Sequence, residues 1–195
     1  PGDGRDPAWE HLCGKCKTVA GYGGILSMDE SVNNVLIARI GPLHGSIAMS
    51  ERIQLASQVP AAISAMMGLE SYLGGTDIPL SLTEIIKLRA SIRNGCAYCI
   101  EMHAEVAMKH GESPQRLLAL SAWRESPLFD ERERAVLALT DEVTLIAENG
   151  LTEETYQQAL ALLGETLLAQ CLMQVVTINA WNRIAVATRM EHKHP

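Results

Sequence analysis

The chain has 195 residues, 47 % hydrophobic and 20 % charged, a balance that suits one sizeable globular core and excludes an intrinsically disordered chain. Its formal charge is −7, and no basic stripe is present to displace counterions from phosphates, which excludes a general nucleic-acid binder.

Residues 1–48 are glycine-rich, with turn signals at Gly21-Tyr-Gly-Gly24 and Gly41-Pro42 and little sustained periodicity. They are read as an extension, weakly structured or non-native, and residues 49–195 as the main domain. Pro1 to Trp9 lacks the pattern of a signal peptide. The five cysteines form two C-x-x-C pairs and a lone Cys171, which is not a secreted disulfide framework, so the cytoplasm is the expected compartment. Cys13-Gly-Lys-Cys16 has the form of half a zinc ribbon. The other C-x-x-C lies about eighty residues away on a predicted helix, which argues against a shared metal.

From Met49 onward helical patterns follow one another and strand-like alternation is scarce, so the body is predicted to be all-α. Pro60 suits the first turn of a helix to about Leu73, ended by Gly74-Gly75. Ser81-Leu-Thr-Glu84 reads as a capping box opening a helix to Asn94-Gly95. A helix carrying Cys96 runs to His110, with Gly111 as its left-handed stop, and Ser113-Pro114 opens a short one. Asp130-Glu-Arg-Glu133 begins a long helix to Asn149-Gly150, and Thr152 caps another to Leu163. The last starts near Gly164-Glu165. Its uncharged run, Thr166 to Asn182, is short for a membrane span and holds Gln170, Gln174 and Asn179, so it reads as a buried helix.

The chemistry concentrates in Cys96-Ala-Tyr-Cys99-Ile-Glu-Met-His103, where two thiols and an imidazole at i, i+3 and i+7 share an arc of about 60° on one helix face. Such a pair can cycle between dithiol and disulfide. A thiolate attacks a peroxide O–O bond, and the second thiol condenses with the resulting sulfenic acid. Unpaired N–H groups at the helix start favour Cys96 as the thiolate, whereas His103, one turn beyond Cys99, favours Cys99. The hinge at Asn94-Gly95 permits a helical hairpin that brings Glu84 to His103 as an orienting carboxylate. Each residue also has a structural reading: Glu84 as a capping residue, His103 as a partly buried polar side chain, Cys99 as core. The combination is what points to a site.

Glu84, eleven residues, Cys96-x-x-Cys99, three residues and His103 together resemble the active-site pattern of the AhpD-like alkylhydroperoxidases, within the carboxymuconolactone decarboxylase superfamily. Leu88 to His103, Ser121 to Phe129 and Glu131 to Arg134 are similar to core-domain members, and the resemblance covers about Met49 to Arg189. It implies a helical fold, assembly into trimers or hexamers, and reduction of organic hydroperoxides or hydrogen peroxide by the cysteine pair. A thiol reductant or redox protein recharges the pair, and neither metal nor prosthetic group is implied. Cys99 would be the peroxidatic thiol, Cys96 the more exposed resolving thiol and proton donor, and Glu84 with His103 the proton relay. The best-studied branch has a second histidine immediately before the second cysteine. This chain has Tyr98, a poor base near neutral pH, so a two-histidine relay is not available.

Two other classes compete. Cys96, Cys99, His103 and Glu84 are all zinc-ligand types, although three ligands on one helix suit a tetrahedral site poorly. A non-catalytic oligomer that uses the pair as a redox sensor is the other. Outside the motif, Trp123, Trp181 and the methionines at 66, 67, 102, 108, 173 and 190 are expected mostly to fill core, Arg93 to be solvated, and Cys171 to be buried.

Overall fold

Capping side chains, proline and left-handed glycine divide the main domain into helices. The computed structural model describes residues 51–191, so the expectations for residues 1–48, Cys13 and Cys16 included, lie outside the described residues. In chain order the helices are α1 (Leu55–Gln58), α2 (Pro60–Gly74), α3 (Leu80–Asn94), α4 (Ala97–Lys109), α5 (Pro114–Ala119), α6 (Glu131–Thr144), α7 (Ile146–Asn149) and α8 (Glu153–Thr188). A 3₁₀ turn, Leu120–Ala122, extends α5, and no strand occurs among the described residues. The fold is all-α.

Most of the punctuation read from sequence is present. Pro60 and Pro114 begin their helices, and the Ser113 and Thr152 side chains accept from the backbone N–H groups of Arg116 and Thr155. Asp130 and Glu133 form a reciprocal capping box. Three boundaries differ from expectation. The proposed capping box at Ser81 does not form: α3 already begins at Leu80, after an extended Pro79, and no side chain caps it. That frees Glu84 to point into the protein. The helix predicted from Asp130 to Asn149 breaks at Leu145, whose φ of −104° and ψ of 37° separate α6 from α7. A short helix, α1, precedes Pro60.

Gly164 sits inside α8 with φ 72° and ψ 167°, a conformation open essentially only to glycine, so the rod is two helices joined at a kink. A Cβ there would meet nothing within 4 Å, so the cost of adding one is purely conformational. Gly164→Ala is therefore expected to destabilise the fold by about 1–3 kcal/mol, read as a lower midpoint in urea at unchanged slope.

Helix α3 is the central element, packed against α4, α6 and α8, while α6 lies on α8 and α2 also reaches α8. Because neighbours surround it, Leu82 and every residue from Glu84 to Ser91 are buried. Ile85, Ile86 and Leu88 join Leu120, Val136, Leu137, Leu139, Cys171 and Val175 in the main core. The same helix buries three charges, Glu84, Lys87 and Arg89. A buried charge must be paired, and Arg89 emerges about 140° round the helix from Glu84, so two charged clusters form on different sides of α3.

By length and composition α8 alone among the described helices could cross a membrane. Two of its asparagines are engaged within the bundle. Asn179 donates to Thr144 Oγ1 at 3.0 Å, and Asn182 donates to Ser91 Oγ at 3.0 Å. Met108 and Met173 are exposed rather than in the core. Burial pushes the Cys171 thiol up to about 12, leaving it inert as a nucleophile.

Candidate functional site

The hinge before the cysteines is fixed from two directions. Gly95 adopts φ 65°, ψ 32°, the left-handed conformation that ends α3, and Cys96 N–H donates back to Ser91 C=O at 3.0 Å. Asn94 Nδ2 donates to Asn179 Oδ1 at 2.9 Å and to Asn182 Oδ1 at 2.8 Å, tying the end of α3 to α8. Sequence reading saw Asn94 only as part of a stop signal. Its partners lie 85 and 88 residues away, beyond the reach of local pattern.

Cys96 then caps α4, its Sγ accepting the Cys99 N–H at 3.3 Å, and the two cysteines are joined as a disulfide. Cys99, His103 and Ala107 form the buried stripe of α4 at i, i+4 and i+8. Helical side chains lean toward the N-terminus, so His103 inclines toward the turn that carries Cys99. Cys96 is 1 % exposed and Cys99 2 %. The more exposed Cys96 implied by the resemblance is thus not found: both thiol positions pack with Ala185, Tyr98 and Met190.

Glu84 arrives from α3. His103 Nδ1 and Glu84 Oε2 are 3.0 Å apart, and both side chains are buried. Burial opposes ionisation of Glu84, but the His103 hydrogen bond and the charges beside it outweigh burial and hold the carboxyl below its ordinary range. Burial likewise disfavours a charged His103, and although Glu84 opposes this, the imidazole stays below its usual value. The resting pair is therefore carboxylate and neutral imidazole. A carboxylate only accepts, so Nδ1–H donates to Glu84 and Nε2 carries the lone pair. Burial and the nearby Glu101 carboxylate push the Tyr98 phenol above its ordinary 10.0, so it is no proton acceptor near neutrality.

Two residues that sequence reading passed over complete the cluster. Lys87 Nζ stands 3.7 Å from Glu84 Oε1 and 3.9 Å from Glu70 Oε2, and Lys87 and Glu70 are both buried. Burial raises Glu70 above its ordinary value, against the pull of Lys87 and the nearby Trp181 indole. Neither Glu70 Oε1 nor Trp181 Nε1 completes a hydrogen bond. The available signal was a charge inside an apolar run: Lys87 follows Ile85-Ile86, and Glu70 follows Leu69. No group of three His, Cys, Asp or Glu side chains among the described residues is disposed to hold a metal ion.

On the opposite side of α3, Asp141 from α6 accepts from Arg89 Nε at 2.5 Å and Nη2 at 2.9 Å, from Arg124 at 2.7 Å and from the Trp123 indole at 3.1 Å. Arg93, expected to be solvated, is drawn to 3.8 Å from the same carboxylate. This cluster joins α3, α6 and the segment after α5. It touches neither cysteine.

The all-helical bundle that carries this two-cysteine hairpin and buried carboxylate–imidazole pair has the AhpD-like helical fold. A model of the carboxymuconolactone decarboxylase family matches residues 58–142. The Bacillus subtilis protein YdfG, itself uncharacterised, is 35 % identical over 139 residues, 71 % of this chain and 95 % of its own. The crystal structure of ATU0492 from Agrobacterium tumefaciens, of unknown function and put forward as the antioxidant defence protein AhpD, is 38 % identical. It covers 75 % of this chain and 100 % of its own at a TM-score of 0.73. The debrominase Bmp8, solved with 2,3,4-tribromopyrrole, shares the fold at 19 % identity and a TM-score of 0.64, over 71 % of this chain and 74 % of its own. The chain belongs to the carboxymuconolactone decarboxylase family. The family takes its name from a decarboxylase, and the debrominase, which shares the fold, has a different activity.

Proposed function

We propose that the chain is a thiol-dependent hydroperoxide reductase of antioxidant defence, turning over by a Cys96–Cys99 dithiol/disulfide cycle. The observation that carries this reading is the buried 3.0 Å contact between His103 Nδ1 and Glu84, one helical turn from a cysteine already paired with its neighbour. In the reduced protein Cys99 gives its proton to His103 Nε2, and the Glu84 carboxylate holds the imidazolium that forms. The thiolate attacks the terminal peroxide oxygen and the O–O bond breaks. The leaving alkoxide takes the proton from His103 to become an alcohol, and Cys99 becomes a sulfenic acid.

Cys96 then attacks the Cys99 sulfur, the S–O bond breaks, and the departing hydroxide takes the Cys96 proton as water. An external dithiol supplies two electrons and two protons to reopen the disulfide. The Cys99 N–H, directed at Cys96 Sγ, stabilises charge on that sulfur as the bond opens. Organic hydroperoxide or hydrogen peroxide is the substrate, and a thiol reductant or redox protein the partner. The cytoplasm is the compartment in this reading. Assembly into a trimer or hexamer belongs to it as well, and the exposed Val59 and Tyr72 at the two ends of α2 give such contacts apolar surface.

The test is turnover. Reduced protein supplied with an organic hydroperoxide and excess dithiol is expected to consume many equivalents of peroxide per chain, with Cys96–Cys99 disulfide accumulating when the dithiol is withheld. Consumption of one equivalent and no more would make the pair a redox sensor. Consumption no faster than the free dithiol alone defeats the reading.

A further inference from the structure

We propose that Lys87 and Glu70 are positioning residues of the relay: the Lys87 ammonium, lodged between the Glu84 and Glu70 carboxylates, sets the charge against which His103 accepts a proton, and Glu70 moderates it. The proposal rests on the reading of Glu84 and His103 as a proton relay.

The geometry is a buried chain from α2 through α3 to α4. Glu70 Oε2 lies 3.9 Å from Lys87 Nζ, Lys87 Nζ lies 3.7 Å from Glu84 Oε1, and Glu84 Oε2 lies 3.0 Å from His103 Nδ1. All four side chains are 7 % exposed or less, so little water screens them from one another. Lys87 from α3 acts on the pair, and Glu70 from α2 faces Lys87. From α8 the uncharged Trp181 indole acts on Glu70, and on α4 Glu101 acts on Tyr98.

The sign follows from charge alone. A cation beside the pair disfavours a second cation on His103 and favours the anion on Glu84. With Lys87 neutralised, the pair takes up a proton more readily, so His103 stays protonated to higher pH and accepts the thiol proton only there. Glu70 shares the same ammonium. With its carboxylate neutralised, the full Lys87 charge falls on Glu84 and the effect is opposite. Because Glu70 carries an unpartnered Oε1, it holds its place through Lys87 rather than through a full set of hydrogen bonds.

The experiment is an NMR titration of the His103 imidazole in the full chain labelled at histidine, assigned by difference from His103→Gln, alongside the pH profile of peroxide reduction. Lys87→Met is expected to raise the His103 titration midpoint by about one unit or more, and Lys87→Arg to restore it. Glu70→Gln is expected to lower it. The acidic limb of the activity profile should move with each midpoint. Midpoints that stay within error of the native protein in both Lys87→Met and Glu70→Gln overturn the proposal; an unmoved Glu70→Gln alone removes Glu70 from it. Lys87→Arg and Glu70→Gln preserve volume and keep the test decisive where Lys87→Met fails to fold. Midpoints that move in a protein without peroxidase turnover defeat the functional reading and leave the electrostatic assignment standing.

Discussion

Cys99→Ser is expected to abolish hydroperoxide turnover, by about 1000-fold or more, because a serine hydroxyl at neutral pH is neither ionised nor a comparable nucleophile toward an O–O bond. Cys96→Ser should behave differently. It keeps the attacking thiol and its base, so a first equivalent of peroxide is consumed at close to the native rate. Without a resolving thiol the sulfenic acid persists, and further peroxide drives it to the sulfinic acid, so turnover stops. Intact-mass measurement separates the two: Cys96→Ser gains one and then two oxygens at Cys99, whereas Cys99→Ser gains none there. The structure gives this comparison its edge, because the two local arguments point to different sulfurs. Cys96 Sγ receives a backbone N–H at the helix start, the setting of a low-pKa thiol. Cys99 shares the buried stripe of α4 with His103. Equal burial of the two sulfurs removes access as a criterion and leaves proton transfer to decide. Single-turnover oxidation confined to Cys96 would reverse the roles and make the amide, not the imidazole, the activating group.

The fold was legible in sequence because its boundaries are local chemistry. Pro60, Gly95, Ser113-Pro114, Asp130 with Glu133, and Thr152 each act within a few residues of themselves, and each marks an observed helix end. Ser81 misled because a capping box is also an ordinary run of helix formers. With Pro79 extended, the helix starts one residue earlier, and Glu84 is worth more to the protein as the partner of His103 than as a cap. The Leu145 break has no residue signal of its own. In the candidate site, the motif itself was readable because its members are spaced by helical turns. Glu70, Asn94 and Asn182 were not, since each meets its partner through packing of α2, α3 and α8, whereas Lys87 stands one turn beyond Glu84 on α3, a local spacing that the sequence did offer. A charge in an apolar run announces that a partner exists without saying which.

The largest effect on stability is expected at a residue outside the site. Asp141→Ala should cost about 3–5 kcal/mol, because it leaves Arg89 as a buried guanidinium without its bidentate carboxylate. The remaining acceptors of Arg89, the carbonyls of Leu120 and Ser121, are uncharged and do not replace it. Arg124→Ala removes a partner of the same carboxylate from a side chain that is 58 % exposed, and should cost no more than about 1 kcal/mol. Asp141→Leu combined with Arg89→Met should recover most of the loss of the single variant, since the penalty lies in the orphaned charge rather than in the missing attraction. Burial works against ionisation of Asp141, but Arg89, Arg124 and Trp123 outweigh it and hold the carboxyl below 3.8. A depressed folded-state value means that the unfolded chain binds the proton first on acidification. The contribution is therefore complete above the ordinary aspartate value and is lost as pH falls through the folded one. Urea midpoints for native protein and Asp141→Asn should accordingly lie far apart at neutral pH and draw together below about pH 4. A gap that stayed constant as the pH fell well below that value would mean that the arginines hold Asp141 by packing and not by charge.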